Sequence, residues 1–88
     1  MIASTTDMAL EYYRAATEGR RPAFVPSKVR LVRQVCGDGP FRSIQAEPGE
    51  HACRANQWGA VSIVARNGQL LGVKPAEFVV LDWCENPN

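Results

Sequence analysis

Four side chains carry the chemistry of soft-metal binding or nucleophilic catalysis: Cys36, His51, Cys53 and Cys84. Together they make the inventory of a Cys3His zinc site, but their spacing does not build one. A zinc knuckle sets two cysteines a few residues apart so that one tight turn presents both thiolates to the ion. No such pair occurs here. His51 and Cys53 alternate, which on a strand puts both on one face. A nucleophilic thiol beside a histidine also needs an orienting third group and donors for an oxyanion, and nothing in the sequence supplies them. One histidine and no usefully spaced carboxylates leave acid–base catalysis without material. The segment CGDGP, residues 36–40, lacks the phosphate-cradling pattern and a following helix, and reads as a turn. No catalytic residue, metal site or cofactor is expected, and the chain reads as a non-enzymatic protein.

The elements that would position any site must fit in 88 residues, which suits a single domain spanning 1–88. A domain of this size buries roughly 60–65% of the surface its unfolded chain exposes, enough for one modest core and little for a deep catalytic cavity. Hydrophobic residues at 45% and charged residues at 22% place it among globular rather than disordered chains. Three cysteines without close spacing argue against a secreted disulfide framework and suggest a reducing, cytoplasmic setting. The start of the chain has no basic region followed by an apolar stretch, so it does not read as a signal peptide. No run approaches the roughly 18 apolar residues of a membrane span, and no membrane partner is expected.

The net charge of +1 gives no overall field toward polyanions, but the charges are uneven. Residues 1–44 hold seven Lys/Arg against four Asp/Glu, and residues 45–88 hold three against five. Arg20, Arg21, Lys28, Arg30 and Arg33 follow one another with no acid between them. This is either a solvated basic edge or a patch for phosphates or an acidic partner.

Residues 7–18 read as a helix, with Thr6 or Asp7 as its cap and Gly19 as its left-handed close. Leu10, Tyr13 and Thr17 follow one stripe, and Met8, Tyr12, Ala15 and Ala16 a neighbouring one, so at least one tyrosine ring should pack on the rest of the protein. A helix this short needs a docking surface, in this chain or in a second copy, which leaves a homodimer open. GRRPAFVPS makes residues 19–27 an extended connector. From Lys28 the period becomes two: Val29, Leu31, Arg33 and Val35 share one face, and Arg30, Val32, Gln34 and Cys36 the other. A long loop through Phe41 and Ile44 reaches a turn at Pro48–Glu50. Strands follow through His51–Arg54, Gly59–Ala65, Gln69–Val73 and Phe78–Trp83. Asn67-Gly68 is expected to form a type I′ turn and Lys74–Glu77 a tight turn, with 84–88 a polar tail. Five short strands with tight turns hide their edges best by closing into a barrel. The expected fold class is therefore mainly β with one N-terminal helix.

Within this pattern GVKPAEFVVL, Gly72 to Leu81, resembles the closing signature of SH3 domains: a Gly, two residues, Pro, two residues, an aromatic and Val. In that family one turn of 3-10 helix separates the fourth and fifth strands. Asn67-Gly68 falls where the SH3 distal hairpin turns, Trp58 near the tryptophan that opens the third strand, and Pro48-Gly49-Glu50 at the diverging turn. The resemblance covers residues 28–83 and implies a five-stranded SH3-like barrel. It departs from the family in lacking an Ala-Leu-Tyr-Asp-Tyr motif and a strongly acidic first loop, and in placing Phe78 where a tyrosine is usual. The overall style is also similar to small phage and prophage proteins, some of which bind and disable host machinery.

The resemblance implies a shallow apolar groove formed by Trp58, Pro75 and Phe78, as an alternative to their simply completing a core; Trp83 reads as a lid over the barrel mouth. The helix tyrosines Tyr12 and Tyr13 offer a second contact face. The expected partner is a protein, in keeping with a phage-encoded modulator of a host complex. The alternative is a nucleic-acid-binding barrel that uses Arg20, Arg21, Lys28, Arg30 and Arg33 with stacking aromatics.

Overall fold

The computed structural model describes residues 4–88. Helix α1 spans Thr5–Glu18. Its cap is Ser4, two residues before Thr6 and three before Asp7: the Ser4 hydroxyl accepts from Asp7 N at 3.1 Å, and the Asp7 carboxylate accepts from Ser4 N at 3.4 Å. Asp7 is thus the far half of a capping box. Gly19 closes the helix at φ 69°. Of the two stripes only the second docks: Tyr12 and Ala15 are buried, while Leu10 and Tyr13 are exposed.

The strands are β1 (Phe24–Leu31), β2 (Val35–Cys36), β3 (Gln45–Ala46), β4 (Gly49–Ala55), β5 (Val61–Val64), β6 (Leu70–Val73) and β7 (Phe78–Glu85). Five of them make one antiparallel sheet in the order β6-β5-β4-β1-β7, and β2 and β3 pair separately. The fold is mainly β with one helix, as its sequence suggests. The sheet is not closed: β6 and β7 stand at its two ends, joined only by the chain through the 3-10 turn Pro75–Glu77. Leu71 and Val73 from one end and Phe78 from the other nonetheless share a single core with Val29, Leu31, Val61 and Ile63. The sheet therefore curls over one apolar face without hydrogen bonds across the gap.

The connector is shorter than its prolines suggest. β1 begins at Phe24 and runs through Pro26, which pairs with Trp83 of β7. Proline in a central strand removes a ladder donor and is tolerated at bulges or where one side is unpaired. Both conditions hold here. The register shifts between Pro26 and Lys28, and pairing to β4 starts only at Lys28. The alternation of Val29 and Leu31 inward with Arg30 outward is observed, but the chain leaves the sheet after Leu31. Val35–Cys36 instead pairs with Gln45–Ala46 as the base of an arch whose tip carries a 3-10 turn, Gly39–Phe41.

The β5–β6 hairpin does turn at Asn67-Gly68, but not as type I′. That type needs positive φ at both residues, and only Gly68 has it, at 86°. Ala65 and Gln69 extend the hairpin by a hydrogen bond of 2.8 Å, and Gly68 N donates to Ala65 O at 2.9 Å. This leaves a three-residue loop with its glycine last. The tail is also not free. β7 runs to Glu85, and the Asn86 amide donates to the carbonyls of Pro22 and Gln57 at 2.9 and 3.0 Å.

Candidate functional site

The loop from Asn56 to Ala60 is built by one side chain. The Asn56 carboxamide oxygen accepts from Trp58 N at 2.9 Å and from Ala60 N at 3.0 Å, and Gly59 N donates to Asn56 O at 2.9 Å. Such Asx bonding substitutes for a ladder at a tight reversal. Gly59 sits at φ 87°, and a Cβ there would lie 2.7 Å from the Tyr12 ring. That close approach lets the buried Tyr12 hydroxyl donate to Gly59 O at 2.6 Å. The helix and the loop are joined across 47 residues of sequence by this bond. Burial raises the Tyr12 pKa above the usual tyrosine value, with smaller contributions from Tyr13 and Cys53. Trp83 packs edge-on against Tyr12 at 5.2 Å, so it buttresses the helix rather than covering an opening.

This arrangement brings Tyr12, Trp58, Pro75 and Phe78 to one shallow groove of about 310 Å³, floored by Val61 and Val73. Four of the five residues expected to make a contact face therefore meet. They do not contribute alike. Phe78 belongs to the core, whereas Trp58 is 54% exposed and presents its ring outward. Tyr13 does not line the groove; it is exposed and touches Tyr12 by its ring edge at 5.2 Å.

Four of the five cations of the basic run pair with carboxylates. Arg20 pairs with Glu11 at 2.6 Å and Glu18 at 2.7 Å, Lys28 and Arg30 share Glu50 at 3.1 and 3.6 Å, and Arg33 reaches Glu77 at 3.8 Å. The absence of acids between these residues in sequence says nothing about acids across the fold. Glu50 has a lowered pKa, chiefly through its hydrogen bond to Lys28. Glu11 is lowered mainly by accepting from Ala23 N, at 2.9 Å, and then by Arg20. Arg21 alone of the five has no carboxylate partner among the described residues. Its guanidinium lies 5.7 Å from the centre of the Trp58 ring, a cation–π distance. Arg21 thus joins the aromatic groove rather than a basic stripe.

The cysteines and the histidine are dispersed. Cys53 and Cys84 border one depression beside Pro26, Cys36 lies on the arch, and His51 donates from Nε2 to Glu47 O at 2.7 Å. Among the described residues no three His, Cys, Asp or Glu side chains gather as a metal site would need, and all three thiols are free. Burial, with a smaller contribution from Cys84, pushes the Cys53 thiol up to about 11, which disfavours a thiolate nucleophile.

A larger depression, about 710 Å³, lies between the arch and β6 and is lined by Cys36, Phe41, Leu70 and Leu71, with Asp38 and Glu77. Sequence reasoning passed over it because Phe41 falls in a loop and Leu70 reads as an ordinary strand residue. Lys74 borders both depressions. It, too, was overlooked, although its place directly before Pro75 put it beside the expected groove.

Fold and groove together define a small, mainly β protein with one docked helix, an open five-stranded antiparallel sheet and an aromatic surface site. Among the described residues no helix is long and apolar enough to cross a membrane. No family model matches the chain, nor does any curated protein or solved structure.

Proposed function

We propose that this chain is a non-enzymatic protein-binding module of SH3-like build, which receives a segment of another protein in the groove of Trp58, Pro75 and Phe78. The observation that carries the reading is the state of Trp58. Its ring is 54% exposed while its backbone is fixed by Asn56 and its neighbour Gly59 by Tyr12, so an exposed aromatic stands on a held loop. Aromatic anchors of this kind, with wide area and few rotamers to lose, dominate binding hot spots. The SH3-like build is supported by the single 3-10 turn between β6 and β7 and by the core shared by the two end strands. The role of a phage-encoded modulator of a host complex rests on the resemblance alone. The nucleic-acid alternative has less behind it, because four of its five cations already hold carboxylates.

The test is affinity capture from the source cells with wild type and Trp58→Ala in parallel. Trp58 lies outside the core cluster, so the variant should keep its far-UV circular dichroism and melt within a few degrees of wild type. Partner capture should fall by tenfold or more. A variant that captures the same proteins as wild type refutes the groove.

A further inference from the structure

The groove carries charge of one sign only. Lys74 is the sole charged side chain lining it, and Arg21 covers the Trp58 ring at its margin. Neither has a carboxylate within ion-pair distance among the described residues, whereas Arg20, Lys28, Arg30, Arg33 and Arg66 each have one. Arg14, Arg42 and Arg54 are likewise without such a partner, but none of them lines this groove. Glu77 is near in sequence, yet its carboxylate accepts from Lys74 N at 2.8 Å and faces Arg33. It borders the neighbouring depression, not this one. Arg21 and Lys74 therefore hold no ion pair within the described fold, although Lys74 also borders the arch depression with Asp38 and Glu77.

We propose that the groove's occupant is an acidic extended peptide segment, with an apolar residue seated against Trp58 and Pro75 and Asp or Glu carboxylates meeting Arg21 and Lys74. This rests on the groove reading above and adds the partner's charge to it. Arg21 suits that task. Its guanidinium, 5.7 Å from the centre of the Trp58 ring and without an ion pair, has the forked N–H geometry that a carboxylate accepts. Two cations beside one aromatic groove match a short acidic motif. They do not make the track of positive charge that a phosphate backbone requires, since affinity for polyanions grows with the number of phosphates neutralised, and the net charge is only +1.

The experiment is selection of a random dodecapeptide display library on wild type, Trp58→Ala and the double reversal Arg21→Glu/Lys74→Glu, alongside a labelled 20-nucleotide single-stranded DNA of mixed sequence. Both reversed side chains are surface cations without ion pairs, and Arg21→Gln/Lys74→Gln serves as the milder variant if the reversal impairs folding. The expected result is enrichment of Asp and Glu flanking aromatic, aliphatic or proline residues. A synthetic peptide of the selected sequence should bind the reversed variant roughly tenfold more weakly and lose affinity with added salt. Peptides selected without acidic bias, or bound equally by wild type and both charge variants, overturn the charge assignment and leave the groove standing. A selection that does not distinguish wild type from Trp58→Ala overturns the groove and the inference together. Tight oligonucleotide binding without peptide selection overturns both in favour of nucleic acid.

Discussion

Two neighbouring depressions, the Trp58 groove and the one beside the arch, are built in different ways. At the Trp58 groove the local Asn56 bonds are joined by long-range ones: Tyr12 to Gly59, Asn86 to Gln57 and Pro22, and Asn86 N to Ala23 O. At the tip of the arch the bonds close within the loop itself, Phe41 N to Asp38 O, Ile44 N to Phe41 O and Gly37 N to Ile44 O, and Arg66 N to Gln45 O ties its base to the hairpin. The arch depression is larger, yet it is lined by charges of both signs, Asp38, Lys74 and Glu77. The groove is smaller, has one sign of charge and is held in place by the helix, the tail and the connector. Specific recognition depends on rigid anchors and pre-organisation more than on the size of a hollow, so the smaller site is the better candidate. Perturbing each site should separate a frame that the whole fold maintains from a loop tip that maintains itself.

The largest effect is expected at Gly59. Gly59→Ala adds a methyl group that would sit 2.7 Å from Tyr12 and 3.3 Å from Pro22, at a φ of 87° that side-chain-bearing residues rarely adopt. Left-handed strain of this kind costs about 1–3 kcal/mol, and the clash with a packed ring adds to it. The protein should lose about 3 kcal/mol or more in urea unfolding, and any partner or selected peptide should bind far more weakly because Trp58 is displaced with the loop. A variant that unfolds normally but binds poorly would place the damage in the loop alone. One that unfolds and binds as wild type does would break the claim that helix and groove are a single unit.

Much of this frame was legible in the chain, and the rest failed for identifiable reasons. The helix, the alternation of Val29 and Leu31, the hairpin at Asn67-Gly68 and the turn at Pro75 follow from local spacing and turn chemistry. Trp58, Pro75 and Phe78 line one groove, an arrangement that local spacing alone does not give. What was not legible is everything set by pairing at a distance. Pro26 enters a strand because β4 does not reach it, and no local rule reports that. Arg20, Lys28, Arg30 and Arg33 look like a basic stripe until Glu11, Glu50 and Glu77 arrive from other elements. Arg21 differs from its neighbour Arg20 only in what the fold lays beside it. The type I′ expectation at Asn67 failed more narrowly: Ala65 and Gln69 close the ladder and leave three residues to turn where two were expected.

An intermediate effect should follow alkaline pH and act on the groove side. Burial raises the pKa of Tyr12 above its ordinary 10, and that of Cys53 to about 11. Both groups are neutral when protonated, so a raised pKa means that the folded state holds its proton more tightly than the unfolded chain. Their contribution is complete below the unfolded values, near pH 9 for the thiol and 10 for the phenol, and declines as pH rises through the folded ones. Melting temperature measured from pH 7 to 11 should be flat to about 9 and then fall. Cys53→Ala should remove the earlier part of the fall. Tyr12→Phe should remove the later part, while lowering stability at neutral pH by about 1 kcal/mol for the lost bond to Gly59 O. A melting temperature that holds level to pH 11 would mean that neither group is buried as described.

The smallest effect is expected at the arch. Phe41 is 60% exposed and sits at the tip of a loop whose own backbone bonds hold it. It leaves little water-excluded area to lose, and substitutions at such surface positions stay within about 0.5 kcal/mol. Phe41→Ser should therefore unfold within that margin of wild type. It should also leave capture through the groove unchanged, because Phe41 does not line that groove. The outcome that matters is binding rather than stability. If Phe41→Ser weakens capture tenfold or more, the larger depression is the working site, or one long partner touches both depressions across Lys74, the residue they share. Combining Phe41→Ser with Trp58→Ala separates those cases. A partner spanning both depressions gives losses that add, as independent contacts do, whereas a partner seated only at the arch is indifferent to Trp58.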